Sequence, residues 1–194
     1  MSRFDTQDKY FQKAKQLGYR ARSVFKLEEI QTKFNLIKHG DNVLDLGAAP
    51  GSFLQYISKI VGEKGSAVGI DLQKIESFPQ PNIKTYVGDI FDDKVYKEIG
   101  IRRFEVITSD LAPKTSGVAF LDGGRSLDLS LKVLDVCDKY LKKGGNALIK
   151  ILPGFNEGDL VGELKKKFKS VKKCRPKAIR KTSGESYLVC MRFI

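Results

Sequence analysis

The sequence predicts one α/β domain with a mostly parallel central sheet and helices on both of its faces. Its 194 residues fit one domain, since domains usually contain about 100–200 residues. Short apolar runs alternate with amphipathic segments of helical spacing, the pattern of buried parallel strands joined by helices. Hydrophobic residues make up 41% and charged residues 30% of the chain, which is typical of a folded protein and argues against disorder.

The elements follow from apolar periodicity and from the turn residues that bound each run. Apolar side chains recur at helical spacing from residue 8 to 34, with Gly18 as a possible break. Apolar runs bounded by turn residues predict strands at 42–46, 67–70, 83–87, 104–108, 147–152 and 186–193. Helical spacing predicts further helices at 53–61, 126–141 and 160–168. Ser52 is the expected N-cap of the helix at 53–61, and the Lys-Lys-Gly-Gly run at 142–145 is expected to close the helix at 126–141.

The net charge of +12 is concentrated at the two ends of the chain. Residues 1–40 carry nine basic and four acidic side chains, and residues 161–194 carry eleven and two, whereas the middle has a net charge of −2. Basic segments attract polyanions through phosphate contacts and counterion release, so both ends are expected to face a nucleic acid. The alternative is a solvated surface that serves solubility alone.

Several classes of protein are excluded by what the sequence lacks. No apolar run approaches the roughly 20 residues that span a bilayer, and the charged start is unlike a secretory signal. Three scattered cysteines and one histidine argue against a disulfide framework and against a zinc site: Cys137, Cys174, Cys190 and His39. We therefore expect a cytoplasmic protein with no membrane partner and no metal.

The segment at 45–53, Asp-Leu-Gly-Ala-Ala-Pro-Gly-Ser-Phe, joins the first predicted strand to the following helix. Loops at the carboxyl ends of parallel strands are where such sheets bind ligands, and small residues allow a close backbone approach. The segment matches neither G-x-G-x-x-G nor a P-loop, so a nucleoside without phosphates fits better than a dinucleotide. The alternative is a tight turn that binds no ligand.

Two acidic residues end the next two strands. Asp71 lies twenty residues after Gly51, the place from which a carboxylate accepts hydrogen bonds from ribose hydroxyls. Asp89 ends the third strand, from which it could accept a hydrogen bond from an adenine amine. A helix N-cap for Asp71 and a turn role for Asp89 are the structural alternatives.

Two charged residues at or near later strand ends are further candidates. Asp110 follows the fourth strand, and Pro113 keeps the chain from entering a helix directly. Lys150 lies inside an apolar strand, where a cation is costly unless it is paired or close to the ligand-binding end. The alternatives are a simple loop for Asp110 and a lysine that reaches solvent from the strand terminus for Lys150. Composition alone indicates no function for Lys26 or Glu185, and solvent exposure is the default expectation for both.

Taken together and in order, these segments resemble the FtsJ/RrmJ family, the S-adenosylmethionine-dependent ribose 2′-O-methyltransferases of RNA. The resemblance rests on the Gly-Tyr-Arg-Ala-Arg-Ser-Val-Phe-Lys-Leu segment, the Ala-Ala-Pro-Gly loop, the Ser-Asp-Leu-Ala-Pro loop, and the late Lys150 and Glu185. It runs from about Asp8 to the C-terminus. It implies a single Rossmann-like class I methyltransferase domain over residues 1–194 that uses S-adenosylmethionine and needs no metal.

The resemblance also implies the site residues. The family's catalytic tetrad falls on Lys26, Asp110, Lys150 and Glu185. Its cofactor contacts fall on Gly51, Phe53, Asp71, Asp89 and Asp110. We expect Lys150 to act as the general base or to orient and stabilise the developing alkoxide, and the sequence leaves its charge state open.

The compact chain looks most like the stand-alone enzyme of large-subunit ribosomal RNA. This implies a monomer that methylates a uridine, in the cytoplasm or in an organelle. Three departures from the family pattern bear on substrate choice: Phe53 in place of tryptophan, Lys114 in place of asparagine, and the segment 152–156. The alternatives are a tRNA or mRNA-cap ribose methyltransferase, a non-catalytic ribosome-associated RNA-binding protein, and a nicotinamide-dependent oxidoreductase.

Overall fold

In the computed structural model, which describes residues 9–100, 103–113, 119–154 and 157–194, seven strands form one sheet. The strands are β1 Asn42–Leu46, β2 Ser66–Asp71, β3 Ile83–Val87, β4 Phe104–Ser109, β5 Leu141–Ile151, β6 Phe168–Cys174 and β7 Ser186–Phe193. The helices are α1 Lys9–Gln16, α2 Val24–Phe34, α3 Ser52–Val61, α4 Asp93–Ile99, α5 Ala119–Tyr140 and α6 Glu157–Lys167.

The strands lie in the order β3-β2-β1-β4-β5-β7-β6. The first five of these pair in parallel, whereas β7 is antiparallel to both β5 and β6. The chain moves outward in one direction from β1 to β3 and in the other direction from β4 onward. Such a reversal opens a crevice at the carboxyl ends of the central strands. The predicted mostly parallel α/β sheet is confirmed.

Apolar side chains bury both faces of the sheet, which explains why its strands are nearly continuous apolar runs. Successive residues of a strand point to opposite faces. Leu44 and Leu46 of β1 therefore join the core cluster that includes residues of α5 and α6. Val43 joins the other cluster, with residues of α2 and α3.

Most of the predicted elements are confirmed, and some boundaries differ. The strands at 42–46, 83–87 and 186–193 match, and the long first helix is interrupted around Gly18 to give α1 and α2. The prediction that Ser52 is the N-cap of α3 was wrong, because Gly51 occupies that position. The Ser52 hydroxyl lies 2.8 Å from the hydroxyl of Ser23. In the second half, α5 begins before residue 126, and α6 ends at Lys167. Strand β5 begins at Leu141 and includes the run at 142–145 that was expected to close the helix.

Two elements were missing from the sequence prediction. Helix α4 buries only Val95 and Tyr96, which is too short an apolar face to show periodicity. Strand β6 reads Phe-Lys-Ser-Val-Lys-Lys-Cys and lies at the edge of the sheet, where lysines protect an exposed strand and also hide its apolar pattern. Within the described ranges, no helix has the length and apolar character needed to cross a membrane.

The buried central strand predicts a large difference between two leucine truncations. Leu44 in β1 has no exposed surface, whereas Leu17 is 54% exposed. Leu44→Ala is expected to lower the free energy of unfolding by about 2–5 kcal/mol, and Leu17→Ala by less than about 0.5 kcal/mol. Urea unfolding followed by circular dichroism measures both. Equal losses for the two variants would contradict the described core.

Candidate active site

A cleft of about 530 Å³ opens at the carboxyl ends of β1, β2, β3 and β4. Each strand contributes the residues that directly follow it. The polar and small residues of the lining are Gly47, Ala49, Asp71, Gln73, Gly88, Asp89, Asp110, Ala112 and Pro113. The larger apolar residues are Ile70, Leu72, Ile90, Phe91, Leu111 and Leu129. This volume is in the range of pockets that bind small molecules and cofactors.

The described lining of the cleft is acidic. It holds the carboxyl groups of Asp71, Asp89 and Asp110 and no lysine, arginine or histidine. Carboxylates repel a pyrophosphate and accept hydrogen bonds from hydroxyl and amine groups. The cleft therefore suits a ligand that carries donors or a positive charge, as the sequence predicted for a nucleoside without phosphates.

The carboxyl groups of Asp71 and Asp89 are fixed by backbone N–H groups. Asp71 accepts hydrogen bonds from the N–H of Ala49 at 2.9 Å and from that of Gln73 at 2.8 Å, and so ties the small-residue loop to the end of β2. Asp89 accepts a hydrogen bond from the N–H of Phe91 at 2.9 Å. A carboxylate has about four acceptor sites, so both residues keep capacity for a ligand. The turn role of Asp89 is thus observed and leaves room for the predicted binding role.

Two glycines of the first loop have backbone conformations that other residues rarely adopt. Gly47 has φ +75°, and a Cβ there would lie 2.8 Å from Cδ2 of Leu111. Gly51 has φ +104°, and a Cβ there would lie 2.4 Å from Cζ of Phe78. Gly47 thus keeps the loop close to the chain after β4, and Gly51 makes room for Phe78.

Phe53 and Gly51 do not line the cleft. The Phe53 side chain is 3% exposed and belongs to the core cluster that contains Leu27 and Ile30. The structure thus gives Phe53 a packing role and Gly51 a conformational role. Their predicted contacts with a cofactor stay predictions. Lys114 and residues 155–156, which bear on substrate choice, lie outside the described residues.

Two exposed apolar residues beside the acids were not predicted. Leu72 is 67% exposed and Phe91 is 54% exposed, and each lies within two residues of a strand-end aspartate. Both also line the cleft, and ligand pockets are commonly lined by apolar and aromatic side chains. The signal that could have found them is their position just after Asp71 and Asp89.

The four residues of the tetrad come together next to the cleft. The ammonium of Lys26 lies 2.8 Å from Oε1 of Glu185 and 4.0 Å from Oδ1 of Asp110. That of Lys150 lies 3.3 Å from Oδ1 of Asp110 and 3.8 Å from Oε2 of Glu185. Each cation therefore contacts both anions, and the side chains are only 9–19% exposed. Pairing of this kind offsets much of the cost of burying the charges.

Lys150 is fixed by Asp110 and does not reach out to solvent. Besides its ion pair, it donates a hydrogen bond to the carbonyl oxygen of Asp110 at 3.0 Å. Two contacts with one residue define where the amine lies. The paired interpretation of this strand lysine is confirmed.

Tyr187 supports Asp110 from the sheet and was missed by the sequence analysis. Its side chain is fully buried, and its hydroxyl donates a hydrogen bond to Oδ1 of Asp110. Burial, together with the negative charge of Asp110, raises the pKa of Tyr187 well above its ordinary value. Tyr187 pairs with Lys150 across β7 and β5, and local sequence patterns do not reveal that antiparallel register.

Asp45 lies in β1 directly before the small-residue loop and is 1% exposed. The Thr108 hydroxyl donates a hydrogen bond to its Oδ1 at 2.7 Å, whereas its Oδ2 is buried without a partner. Burial raises the pKa of Asp45 to about 8, and the nearby charges of Asp110 and Asp71 act in the same direction. The carboxyl is therefore neutral over much of the physiological range.

The described residues hold no group of three or more His, Cys, Asp or Glu side chains arranged to bind a metal ion. The three cysteines are free and buried.

Comparison with known proteins agrees with this geometry. A sequence model of the FtsJ-like methyltransferase family matches residues 19–193. Ribosomal RNA large subunit methyltransferase E of Bdellovibrio bacteriovorus is 43% identical over 190 residues, which cover 96% of each chain. The protein of the same name from Methanothermobacter thermautotrophicus is 42% identical over 186 residues, 94% of this chain and 88% of that protein.

A solved structure agrees as well. The crystal structure of a ribosomal RNA methyltransferase, described as putative, from Plasmodium falciparum superposes with a TM-score of 0.80 at 30% identity, covering 90% of this chain and 98% of that chain. The sheet order and the acidic cleft at its topological switch define a Rossmann-like methyltransferase. The chain belongs to the FtsJ-like methyltransferase family.

The raised pKa of Asp45 predicts how stability depends on pH. In the folded chain Asp45 keeps its proton up to about pH 8, whereas its ordinary pKa is 3.8. Between these values the native state binds the extra proton. Its free energy of unfolding therefore falls as the pH rises, by up to about 1.4 kcal/mol per pH unit, and levels off above the folded pKa.

Asp45→Asn removes this group, so the free energy of unfolding of the parent minus that of the variant should decrease from pH 5 to pH 8. Urea unfolding of both proteins across this range gives the difference at each pH. A difference that stays constant between pH 5 and 8 would contradict a neutral buried Asp45.

Proposed function

We propose that the chain transfers a methyl group from S-adenosylmethionine to a ribose 2′-hydroxyl of RNA, and specifically to a uridine of large-subunit ribosomal RNA. The observation that carries the proposal is the shared position of Asp110. It lines the acidic cleft and also contacts Lys150 of the tetrad. A ligand in the cleft would therefore lie beside a largely buried cluster in which each of two lysines contacts both of two acids.

The cleft fits S-adenosylmethionine better than a dinucleotide. Asp71 and Asp89 would accept hydrogen bonds from ribose hydroxyls and an adenine amine, and Leu72 and Phe91 offer apolar surface to a base. The carboxyl groups of Asp71 and Asp89, which take part in none of the described ion pairs, favour a ligand with a positive charge. When bound, the cofactor supplies a methyl group attached to a positively charged sulfur. The acidic lining also disfavours the nicotinamide dinucleotides of the oxidoreductase alternative.

The tetrad would accept the proton of the attacking hydroxyl or stabilise the negative charge that develops on its oxygen. A neutral Lys150 amine would accept the hydroxyl proton as oxygen attacks, whereas a charged one would stabilise the developing alkoxide. Asp110 fixes this amine in either case. The second pair, Lys26 and Glu185, adds a second cation and anion to the same cluster. Precise placement of the oxygen contributes the remainder, since the transfer requires an in-line geometry.

The RNA substrate is inferred from charge and from the relatives. Two basic segments flank a near-neutral middle, as expected for a protein that holds phosphates. Two relatives at 42–43% identity are named for the large-subunit ribosomal RNA, and they align with nearly the whole chain. The proposed substrate is therefore large-subunit ribosomal RNA. We further propose that the protein acts as a monomer in the cytoplasm. The tRNA, mRNA-cap and non-catalytic alternatives become outcomes of the tests below.

Cofactor binding is expected to be saturable, to need no added metal and to depend on Asp71. Asp71→Ala should weaken the binding of S-adenosylmethionine and S-adenosylhomocysteine by about 1–3 kcal/mol, because the buried hydroxyl groups of the ligand lose their charged acceptor. Isothermal calorimetry in the presence of a chelator measures both ligands. Glu63→Ala removes an exposed acid from the turn before β2, at the opposite end of the strand from Asp71, and serves as the control with unchanged affinity. No binding by the parent, together with a clear response to NAD, would overturn the cofactor assignment.

The Lys150 variants separate the two possible roles of the amine. Lys150→Ala is expected to keep cofactor and RNA binding and to slow methyl transfer by about 10²–10⁴-fold in single-turnover assays with saturating RNA. Lys150→Arg retains a charge but cannot release a proton at neutral pH, so a general base predicts full loss and an electrostatic role predicts partial activity.

Lys84→Ala, an exposed strand lysine of β3, is the matched control and should transfer at the parental rate. Transfer by Lys150→Ala at close to the parental rate would show that the catalytic assignment is wrong.

The choice of acceptor tests the substrate. Purified protein and labelled cofactor are incubated with large ribosomal subunits from cells that lack the gene, with tRNA, and with capped mRNA. We expect label in the large-subunit RNA alone. Label in tRNA or in the cap would replace the proposed substrate, and no label in any RNA, despite cofactor binding, would favour the non-catalytic alternative.

A further inference from the structure

A second concavity, of about 500 Å³, lies at the end of the sheet opposite the acidic cleft. It is formed where the last turn of α2, the first half of β5, the start of β6 and the end of β7 meet. In β5, Gly144 and Asn146 line this pocket, whereas Lys150 lies four residues further on, beside the cleft. We call it the basic pocket, for the four cations described next.

Four exposed cations line the basic pocket: Lys33, Lys38, Lys172 and Arg192. No aspartate or glutamate is in its lining, and no ion pair joins any of the four to an acid among the described residues. Glu29 and Asp41, the acids near α2 and Lys38, accept hydrogen bonds from backbone N–H groups. The pocket therefore has a surplus of positive charge, which Asp41 beside Lys38 balances only in part.

Several other lysines of the basic C-terminal segment are neutralised. Lys166 pairs with Glu163 at 2.6 Å, Lys167 with Asp138 at 2.6 Å, and Lys173 with Glu157 at 2.6 Å. Their charge is largely balanced at the surface, so they contribute less to the attraction of a polyanion. The basic pocket, in contrast, combines two cations from residues 1–40 with two from residues 161–194, the two segments in which the charge is concentrated.

The floor of the basic pocket is held by one buried amide. The side chain of Asn146 donates a hydrogen bond to the carbonyl oxygen of Leu36 at 2.8 Å and accepts one from the N–H of Arg192 at 3.1 Å. Arg192 has φ +60° and Asn35 has φ +49°, and these are the only non-glycine residues with positive φ in the described chain. Both line the pocket. Asn35 is the left-handed C-cap of α2, a common place for asparagine, and Arg192 adopts its conformation where its N–H bonds the Asn146 side chain.

The basic pocket is close enough to the tetrad to hold the same strand of RNA. Lys26 and Lys33 are seven residues apart on α2, which corresponds to about 10 Å along a helix. Asn146 and Lys150 are four residues apart in β5, or about 13 Å along a strand. A nucleic-acid strand advances by about 3.4 Å per nucleotide in a helix, so this distance spans about three or four nucleotides.

We propose that the basic pocket is a second RNA-binding site, which holds backbone phosphates about three or four nucleotides from the methylated ribose. The proposal rests on the proposed function in taking RNA as the substrate. Lysine ammonium groups recognise phosphate as point charges and carry no sequence information, so the contacts are independent of base identity. The hydroxyl of Ser170 and the amide of Asn35 add neutral donors to the same lining.

The experiment compares two triple variants that remove the same charge from opposite edges of the sheet. The pocket variant carries Lys33→Gln, Lys38→Gln and Lys172→Gln. The control variant carries Lys84→Gln, Lys94→Gln and Lys97→Gln, three exposed lysines of β3 and α4. Binding of a labelled 20-nucleotide oligouridine is measured by fluorescence anisotropy at several salt concentrations, and methyl transfer is measured on large subunits from cells that lack the gene.

For the pocket variant we expect about tenfold or greater loss of oligouridine affinity, and a salt dependence whose slope falls by about two to three. We expect the KM for large subunits to rise while the rate at saturating substrate and the affinity for S-adenosylhomocysteine stay within about twofold. The matched triple with arginine at the same three positions should restore RNA affinity. The control variant should keep the parental slope.

Equal effects of the pocket and control variants on oligouridine binding would overturn the proposal, since net charge alone would then explain them. Parental oligouridine affinity in the pocket variant would also overturn it, and a raised KM for intact subunits in that case would indicate an acidic protein partner instead of RNA. Absence of methyl transfer by the parent would reject the proposed function, and the oligouridine measurement would still report on the pocket.

Discussion

The contact between Lys150 and Asp110 is the interaction on which the rest of the site depends. A lysine inside a central apolar strand is costly to bury. Here Asp110 offsets that cost with two oxygen atoms: the Lys150 ammonium lies 3.0 Å from its backbone carbonyl oxygen and 3.3 Å from its carboxylate. Asp110 is in turn held by the Tyr187 hydroxyl and by its own N–H, which donates to the carbonyl oxygen of Leu46. Because Asp110 also lines the cleft, the amine is fixed beside whatever the cleft binds.

Sheet topology explains how distant parts of the chain meet at that contact. Parallel pairing brings the loops after β1, β2, β3 and β4 to one edge, which forms the cleft. Strand β7 runs the other way, so its first residues, and not its last, lie beside the end of β5. Glu185 directly precedes β7 and therefore reaches Lys150. The same reversal carries Arg192 to the far end of the sheet, where it lines the basic pocket.

The sequence predicted the cleft better than it predicted the tetrad, for a physical reason. Asp71, Asp89 and Asp110 each end an apolar run, and parallel strands necessarily end at one edge, so local patterns were sufficient. Lys26 and Glu185 depend on how α2 packs and on an antiparallel register, and only the family resemblance indicated them. Tyr187 was missed because its contact with Asp110 depends on the pairing of β5 with β7. Helix α4 and strand β6 were missed because a short buried face and a lysine-rich edge show no clear apolar periodicity. The family resemblance places Phe53 at the cofactor, which stays a prediction, and its packing in the core was not foreseen.

The position of the transferred methyl group tests the central claim most directly. Large ribosomal subunits from cells that lack the gene are incubated with the purified protein and methyl-labelled S-adenosylmethionine, and the RNA is digested to nucleosides for mass spectrometry. We predict one labelled nucleoside, a uridine whose extra mass lies on the ribose fragment. Label on a base fragment would contradict a site built to activate a ribose hydroxyl.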